Sequence, residues 1–125
     1  MSGATLDAGA LIAFEKARSS TVKLVARAVE QGDVLAVPAG VVAQVWRDGA
    51  RQVRLRRFLA SPNVEVIPLD DATARAVGQL CGVTGTTDVV DASVVLCARQ
   101  RGHAVLTSDP EDLRRIDPRL TVVEV

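Results

Sequence analysis

Residues 88–113, DVVDASVVLCARQRGHAVLTSDPEDL, contain the clearest indication of the fold class. Apolar side chains recur at helical spacing in the first half of this stretch, at Val90, Val94, Cys97 and Ala98. Gly102 ends the helix that this spacing predicts, and the short apolar run 104–107 that follows is typical of a buried strand. Asp109 and Pro110 then predict the beginning of another helix, since proline is favoured at a first helical position. A helix, a buried strand and a second helix in direct succession indicate an α/β fold with a parallel sheet.

The same alternation continues outward over the whole chain. Besides 104–107, the predicted strands are 4–6, 34–37, 64–67 and 120–125. Two further helices are predicted at about 10–18 and at 21–31, the second with a cap at Ser19–Ser20. A third helix begins at Pro38 and is interrupted at Gly49, and a fourth covers about 51–60. The last begins at Asp70 or Asp71, ends at about Leu80 and is followed by a loop at 82–87. We therefore predict a single three-layer α/β/α domain over residues 1–125, with a mostly parallel central sheet whose ligands bind at the carboxyl ends of the strands.

The composition is that of an ordinary globular protein. Among the 125 residues, 48% are hydrophobic and 24% are charged, and 15 basic residues balance 15 acidic ones. A net charge of zero gives no bulk attraction to nucleic acid or to a membrane surface. No apolar run approaches the roughly 20 residues of a membrane span, and the N-terminus has no basic leader region, so we expect a cytoplasmic protein with no membrane partner.

The cysteines and the single histidine limit the possible chemistry. Cys81 and Cys97 are 16 positions apart, which is not the spacing of a redox or metal-binding pair, and we expect buried, free thiols. The one histidine, His103, excludes a zinc site that needs two, and we expect it in a turn or on the surface. The chain offers no Ser-His-Asp set and no phosphate-binding glycine loop.

Acids follow or precede several of the predicted strands and helices. Asp7 comes at the end of the first strand and Asp109 at the end of the fourth, while Asp88 and Asp91 are three apart at the beginning of one helix. If the first and fourth strands are neighbours, Asp7 and Asp109 meet at one edge of the sheet. Clustered carboxylates favour Mg²⁺ or Mn²⁺, which can activate a water and hold a phosphate. The pattern favours metal-assisted phosphodiester hydrolysis, although Asp88 and Asp109 are also ordinary helix-capping candidates.

Arginines accumulate in the middle of the chain. Arg47, Arg51 and Arg54 are spaced i, i+4 and i+7, which predicts that they share one helical face. Such a face can contact RNA phosphates or an acidic partner segment, or it can simply be solvated.

Four segments in this order resemble the PIN-domain family, and within it the VapC-type toxins of bacterial toxin–antitoxin pairs. These segments are Leu6–Ile12, Val37–Arg47, Asp88–Ala92 and Val105–Leu113. The resemblance implies a Mg²⁺- or Mn²⁺-dependent endoribonuclease that leaves 5′-phosphate and 3′-hydroxyl ends, forms a homodimer and pairs with an antitoxin protein. It also implies a four-acid site, in which the matching positions are Asp7, Asp91 with Asp88 as an auxiliary, and Thr107 with Asp109; Asp112 is a further candidate in the last segment.

The chain departs from the family pattern at two places. Gln44 stands where the family usually has glutamate, and it offers a carbonyl oxygen but no charge; Asp48, one turn later on the predicted helix, is a candidate substitute. Ala8 and Gly9 replace the serine or threonine that often follows the first acid. The alternative to a nuclease is therefore a catalytically weakened PIN-fold module that binds an antitoxin without cleaving RNA. A receiver-like phosphorylation domain is disfavoured, because the only lysines, Lys16 and Lys23, lie in early helices.

Overall fold

Five parallel strands form one sheet in the computed structural model, which describes residues 3–125. The strands are β1 (Gly3–Leu6), β2 (Val34–Pro38), β3 (Val64–Ile67), β4 (Ala104–Thr107) and β5 (Val122–Glu124). The helices within residues 3–125 are α1 (Ala8–Glu15), α2 (Ser19–Glu30), α3 (Ala39–Val45), α4 (Val53–Leu59), α5 (Asp71–Thr84), α6 (Val89–Arg101) and α7 (Pro110–Ile116). Met1 and Ser2, which the predicted domain 1–125 includes, lie outside the described residues.

The strand order β3-β2-β1-β4-β5 puts β1 at the centre of the sheet. β1 pairs with β2 on one side and with β4 on the other, and Leu6 is aligned with Leu106. Helices cover both faces, and strand side chains such as Leu35 and Val105 are fully buried. The predicted α/β architecture with a parallel sheet is confirmed, and the first and fourth strands are neighbours, as convergence of their terminal acids requires.

Several predicted boundaries are wrong by a few residues. Pro38 is the last residue of β2 rather than the first of a helix. The residue that caps α2 is Arg18, so that Ser19–Ser20 lie inside the helix. α5 continues to Thr84, through the first part of the predicted loop, and ends at Gly85 in the left-handed conformation (φ +78°) that glycine tolerates.

The cysteines and the histidine lie close to their expected environments. Both thiols are free; Cys97 is buried, which raises its pKa, whereas Cys81 is only partly buried. His103 lies in the turn between α6 and β4, but its ring is partly buried, with Nδ1 3.1 Å from the hydroxyl of Thr5.

Within residues 3–125, no single helix is long and apolar enough to cross a membrane. α5 and α6 reach that length and hydropathy only when they are taken together across a bend of 105°.

Candidate functional site

Asp7 lies where β1 ends and α1 begins, and each oxygen of its carboxylate accepts a hydrogen bond. Oδ1 accepts from the backbone N–H of Ala10 at 2.9 Å, which caps α1, and Oδ2 accepts from the hydroxyl of Thr107. Only 8% of the residue is exposed, and this burial raises the pKa of the Asp7 carboxyl. The hydrogen bonds from Thr107 and Ala10 oppose that shift, and the negative charge of Asp109 adds to it. Asp7 is thus a helix cap and also a buried acid that is held near a second acid.

Thr107 joins the carboxyl ends of β1 and β4. Its buried hydroxyl donates to Asp7 and accepts from the backbone N–H of Asp109 at 2.9 Å. Asp109 occupies the N-cap position of α7, but its side chain makes no capping hydrogen bond. The alternative interpretation of Asp109 as an ordinary cap is therefore wrong, and its exposed carboxylate remains near Asp7.

The beginning of α6 brings two more acids to this edge of the sheet. Asp88 caps the helix by accepting a hydrogen bond from the backbone N–H of Asp91 at 2.9 Å. Asp91 is half-buried, and burial raises its pKa to about 6, with further contributions from the charges of Asp88, Asp112 and Asp7. These mutual charge effects indicate that the four carboxylates lie in one region of the molecule.

Asp112 completes this region from the first turn of α7. A hydrogen bond between the side chains of Asp109 and Asp112 raises the pKa of the Asp112 carboxyl, and the charge of Asp109 raises it further. Arg115 Nη1 lies 3.2 Å from Asp112 Oδ1, and the two residues border a cleft of about 340 Å³ that Asp88 and Asp91 also line. We refer to five acids together as the acidic cluster: Asp7, Asp88, Asp91, Asp109 and Asp112.

The acidic cluster fits Mg²⁺ or Mn²⁺ by its chemistry, although it is open rather than a closed cage. As the side chains stand, residues 3–125 contain no group of three or more His, Cys, Asp or Glu side chains close enough to hold a metal ion. Mg²⁺ commonly takes one or two carboxylates and keeps several waters, so an open arrangement suits it. Burial, and to a smaller extent the charges of neighbouring acids, raise the pKa values of Asp7 and Asp91, and a divalent cation would stabilise the ionised form of both. The side chains that could hold such an ion are those of Asp7, Asp91 and Asp109, with Asp88 and Asp112 beside them.

Gln44 lies exposed on the last turn of α3. α3 contacts both α1 and α6, the helices that begin beside Asp7 and Asp88. The helix that carries Gln44 therefore borders the two helices whose first turns carry acids of the cluster.

The prediction that Asp48 follows one turn later on the same helix is wrong. α3 ends at Val45, and Trp46 is extended, so Asp48 lies in the turn beyond the helix. Its Oδ1 accepts from the backbone N–H of Ala50 at 3.0 Å, and its Oδ2 lies 3.7 Å from Arg51 Nε. The local turn therefore occupies this carboxylate.

The three arginines do not share a helical face, because the chain is not helical between α3 and α4. The Arg47 guanidinium donates to the backbone carbonyls of Ala43 and Trp46, at the end of α3. Arg51 pairs with Asp48 in the turn, and both side chains are exposed. Only Arg54 lies on α4, where its Nε donates to the Phe14 carbonyl at 2.9 Å and its guanidinium lies 4.8 Å from the Phe14 ring centre.

Arg54 borders an apolar groove of about 560 Å³ between α1, α2 and α4. We call this the α1–α2–α4 groove; its lining includes Phe14, Val25, Val29, Val53, Arg54, Arg57 and Phe58. Apolar walls with two arginines suit a segment that has both apolar and acidic side chains.

Two features near the acidic cluster were missed by the sequence analysis. Arg115 supplies a positive charge beside Asp112, and its position three residues later on a helix was an available signal. Ser108 lies exposed between Thr107 and Asp109, and its Oγ is 1.9 Å from where a Cβ on Gly9 would lie. No local motif indicates this second contact, because it joins two distant parts of the chain.

Comparison with known proteins gives a family match over most of the chain. The model of the PIN domain family matches residues 4–118. No curated protein matches the chain.

Several solved structures are similar to this chain in fold. One chain of VapBC2 from Rickettsia felis, bound to a DNA fragment from its promoter, superposes with a TM-score of 0.74 at 15% identity, over 98% of both chains. A toxin–antitoxin complex from Klebsiella pneumoniae gives a TM-score of 0.68 at 18% identity, over 98% of this chain and 99% of that one. FitAcB from Neisseria gonorrhoeae gives 0.62 at 18% identity, over 97% and 96% respectively. At these identities the similarity shows a shared fold.

Proposed function

The chain belongs to the PIN domain family. We propose that it is a divalent-metal-dependent endoribonuclease, the toxin of a VapBC-type toxin–antitoxin pair. The observation that carries the proposal is the acidic cluster at the carboxyl ends of β1 and β4. Burial and the charges of neighbouring acids raise the pKa values of Asp7 and Asp91, and the side chain and charge of Asp109 raise that of Asp112. A cluster with that electrostatic cost is typical of a functional site.

In this proposal Asp7, Asp91 and Asp109 hold Mg²⁺, or Mn²⁺ in its place, and Asp88 and Asp112 adjust the charge around it. The chemistry that such an ion supplies is polarisation of a phosphate and activation of a water for attack. The hydrogen bonds of Asp7 to Thr107 and Ala10 fix one carboxylate in place before any ligand arrives. Asp91 has a pKa of about 6, so it is mostly ionised and able to bind a cation at neutral pH.

The second candidate function is a PIN-fold module that binds an antitoxin and cleaves nothing. Two observations favour it. Gln44 carries no charge at the position where the family usually has glutamate, and within residues 3–125 no three acids already stand close enough to hold one ion. Gln44→Glu separates the two candidate functions. It should produce RNA cleavage where the wild type shows none only if the wild type is inactive for lack of that one carboxylate.

The decisive experiment is RNA cleavage by the purified, antitoxin-free protein in Mg²⁺ or Mn²⁺ and in EDTA. Mixed cellular RNA is the substrate, and the variants are Asp91→Asn, Gln44→Glu and the matched control Asp71→Asn, which removes an exposed acid from the first turn of α5 instead. We expect metal-dependent cleavage by the wild type and by Asp71→Asn, and none by Asp91→Asn. Cleavage by Gln44→Glu alone would favour the weakened module, and silence from all variants would contradict the nuclease proposal.

We place the antitoxin contact at the α1–α2–α4 groove, because its apolar walls and arginines suit an amphipathic segment with acidic side chains. The solved toxin–antitoxin complexes of the same fold support the class of partner. Arg57→Glu on the groove should weaken binding of the cognate antitoxin, whereas Arg75→Glu on α5 should not. Equal antitoxin binding by both variants would show that the antitoxin does not bind at this groove.

A homodimer is the remaining part of the proposal. Leu69 and Val89 are exposed by 47% and 51% beside an apolar cavity of about 240 Å³ between α3, α5 and α6. Exposed apolar side chains around a cavity are common in subunit interfaces. The mass in solution should fall from that of a dimer to that of a monomer when Leu69 is replaced by aspartate, and a monomeric wild type would overturn this part.

A further inference from the structure

Gly9 occupies a position where the backbone does not need glycine. It is the second residue of α1, and the glycines with positive φ are Gly32, Gly85 and Gly102. Glycine inside a helix is destabilising relative to alanine, because it has more conformational freedom to lose. The reason for glycine here therefore lies in a neighbouring side chain.

That neighbour is Ser108. A Cβ on Gly9 would lie 1.9 Å from Ser108 Oγ and 3.0 Å from Ser108 Cβ. Any side chain at position 9 would displace the Ser108 hydroxyl, whereas the Ser108 Cβ would need to move by only a few tenths of an ångström. Gly9 thus leaves space for one hydroxyl at the rim of the acidic cluster.

Ser108 is exposed, and within residues 3–125 its hydroxyl makes no hydrogen bond. The hydrogen bonds on either side run from Thr107 to Asp7 and from the Asp109 backbone to Thr107. An exposed hydroxyl whose position is protected by a helical glycine, between two acids that form one site, suits contact with a ligand better than support of the fold.

Phosphate is the ligand group that most needs such a donor. The carboxylates of Asp7 and Asp109 repel a phosphodiester, and a neutral hydroxyl can donate a hydrogen bond to its oxygen without adding to that repulsion. We propose that the Ser108 hydroxyl binds the phosphate of the RNA substrate and that Gly9 keeps open the space it occupies, an inference that rests on the proposed ribonuclease function.

A reciprocal exchange tests the inference. Ser108→Ala removes the hydroxyl, Gly9→Ala displaces it, and the double variant Gly9→Ser with Ser108→Gly returns one from the opposite side, since the Cβ of a residue at 9 lies 1.9 Å from the present Oγ. Ser20→Ala in the first turn of α2 is the matched control, because it removes an exposed hydroxyl that is not next to any acid of the acidic cluster in the sequence. The probe is a labelled random-sequence RNA pool, used for steady-state cleavage in Mn²⁺ and for equilibrium binding.

We expect Ser108→Ala and Gly9→Ala each to raise KM and the RNA Kd by roughly tenfold, the usual effect of losing one hydrogen bond to a charged group, with kcat little changed. The double variant should recover most of the loss. The thermal unfolding midpoint of Ser108→Ala and the RNA binding of Ser20→Ala should match the wild type.

The outcomes separate this inference from the function on which it rests. Cleavage or binding by the wild type with no change in Ser108→Ala or Gly9→Ala would overturn the role of Ser108 alone, as would a folded double variant without recovery. RNA binding that depends on Ser108 without any cleavage would support the inference and overturn the nuclease. A wild type that neither cleaves nor binds RNA would overturn both.

Discussion

At the residue level, the hydroxyl of Thr107 links two residues of the acidic cluster, Asp7 and Asp109. It donates to the buried carboxylate of Asp7 and accepts from the backbone of Asp109. We expect Thr107→Val, which preserves shape, to lower the free energy of unfolding by about 2 kcal/mol, since hydrogen bonds to buried charges contribute roughly 1.5–3 kcal/mol. The measurement is urea denaturation at pH 7.

The stability loss of Thr107→Val should depend on pH. The Thr107 hydrogen bond lowers the pKa of Asp7, so its loss raises that pKa further, and the deficit should shrink at low pH, where Asp7 becomes neutral. Thr121→Val, at an exposed threonine before β5, should have little effect. A deficit that is equal at pH 4 and pH 7 would show that the charge of Asp7 is not involved.

The acids of the site were the most predictable residues, because their positions follow from local rules. Asp7 and Asp109 stand where apolar strands end, and Asp88 stands where a helix begins. Ser108 was not predictable in this way. Ser108 became a candidate only because it lies next to Gly9 in the structure. No local sequence pattern indicates a contact between residues this far apart in the chain.

At the scale of elements, the side chain of Gln52 fixes the break between α3 and α4. Its Oε1 accepts from the backbone N–H groups of Arg47 and Asp48 at 2.6 and 2.9 Å, and its Nε2 donates to the Val45 carbonyl at 2.9 Å. These bonds satisfy backbone groups that the end of α3 leaves without helical partners. One amide side chain thus substitutes for the next helical turn.

We expect Gln52→Leu to destabilise the protein by about 1–2 kcal/mol, because it removes three partly exposed hydrogen bonds at once. The backbone amides of Arg47 and Asp48 should also exchange faster with deuterium. Gln79→Leu, at an exposed position on α5, is the matched control and should leave both quantities unchanged. Unchanged exchange in Gln52→Leu would mean that the turn holds without its side chain.

This break also explains why the arginine face was predicted wrongly. The spacing of Arg47, Arg51 and Arg54 is helical, but a spacing indicates a shared face only if the intervening residues are helical. Gly49 signalled an interruption, and its backbone lies against the Trp46 ring, where a Cβ would be 2.7 Å from a ring carbon. The length and path of the interruption depend on Gln52, which local propensity does not identify.

In the whole molecule, the parallel sheet brings Asp7 and Thr107 into contact although they are 100 residues apart in the sequence. Asp7 lies beside Thr107 and is affected by the charge of Asp109 because β1 lies beside β4. The alternation of strands and helices predicted the sheet but left its strand order open. The sequence alone did not predict that β1 and β4 are neighbours; the convergence of Asp7 and Asp109 was expected only if they were. The stability of the protein therefore depends on the ionisation of acids that only the folded chain brings together.

This dependence predicts how stability varies with pH and metal. Burial and neighbouring charges raise the pKa of Asp91 from 3.8 to about 6 and also raise that of Asp7. A carboxyl with a raised pKa stabilises the fold while it is protonated, and that contribution is lost as pH rises from about 4 through 6. A shift of this size, reduced by solvent screening of a half-exposed group, corresponds to about 1–2 kcal/mol. We therefore expect the metal-free protein to be less stable at pH 7 than at pH 5, measured by urea denaturation at the two pH values.

Divalent metal should reverse this trend, because it binds the ionised carboxylates and competes with protons. We expect Mn²⁺ to raise the thermal unfolding midpoint clearly at pH 7 and little at pH 5. Asp91→Asn removes one of the repelling charges, so without metal it should be more stable than the wild type at pH 7, and it should respond less to Mn²⁺. Asp71→Asn should behave as the wild type does. A Mn²⁺ effect equal at both pH values, or equal in Asp91→Asn, would contradict metal binding by the acidic cluster, because protons and metal would then not compete for the same carboxylates.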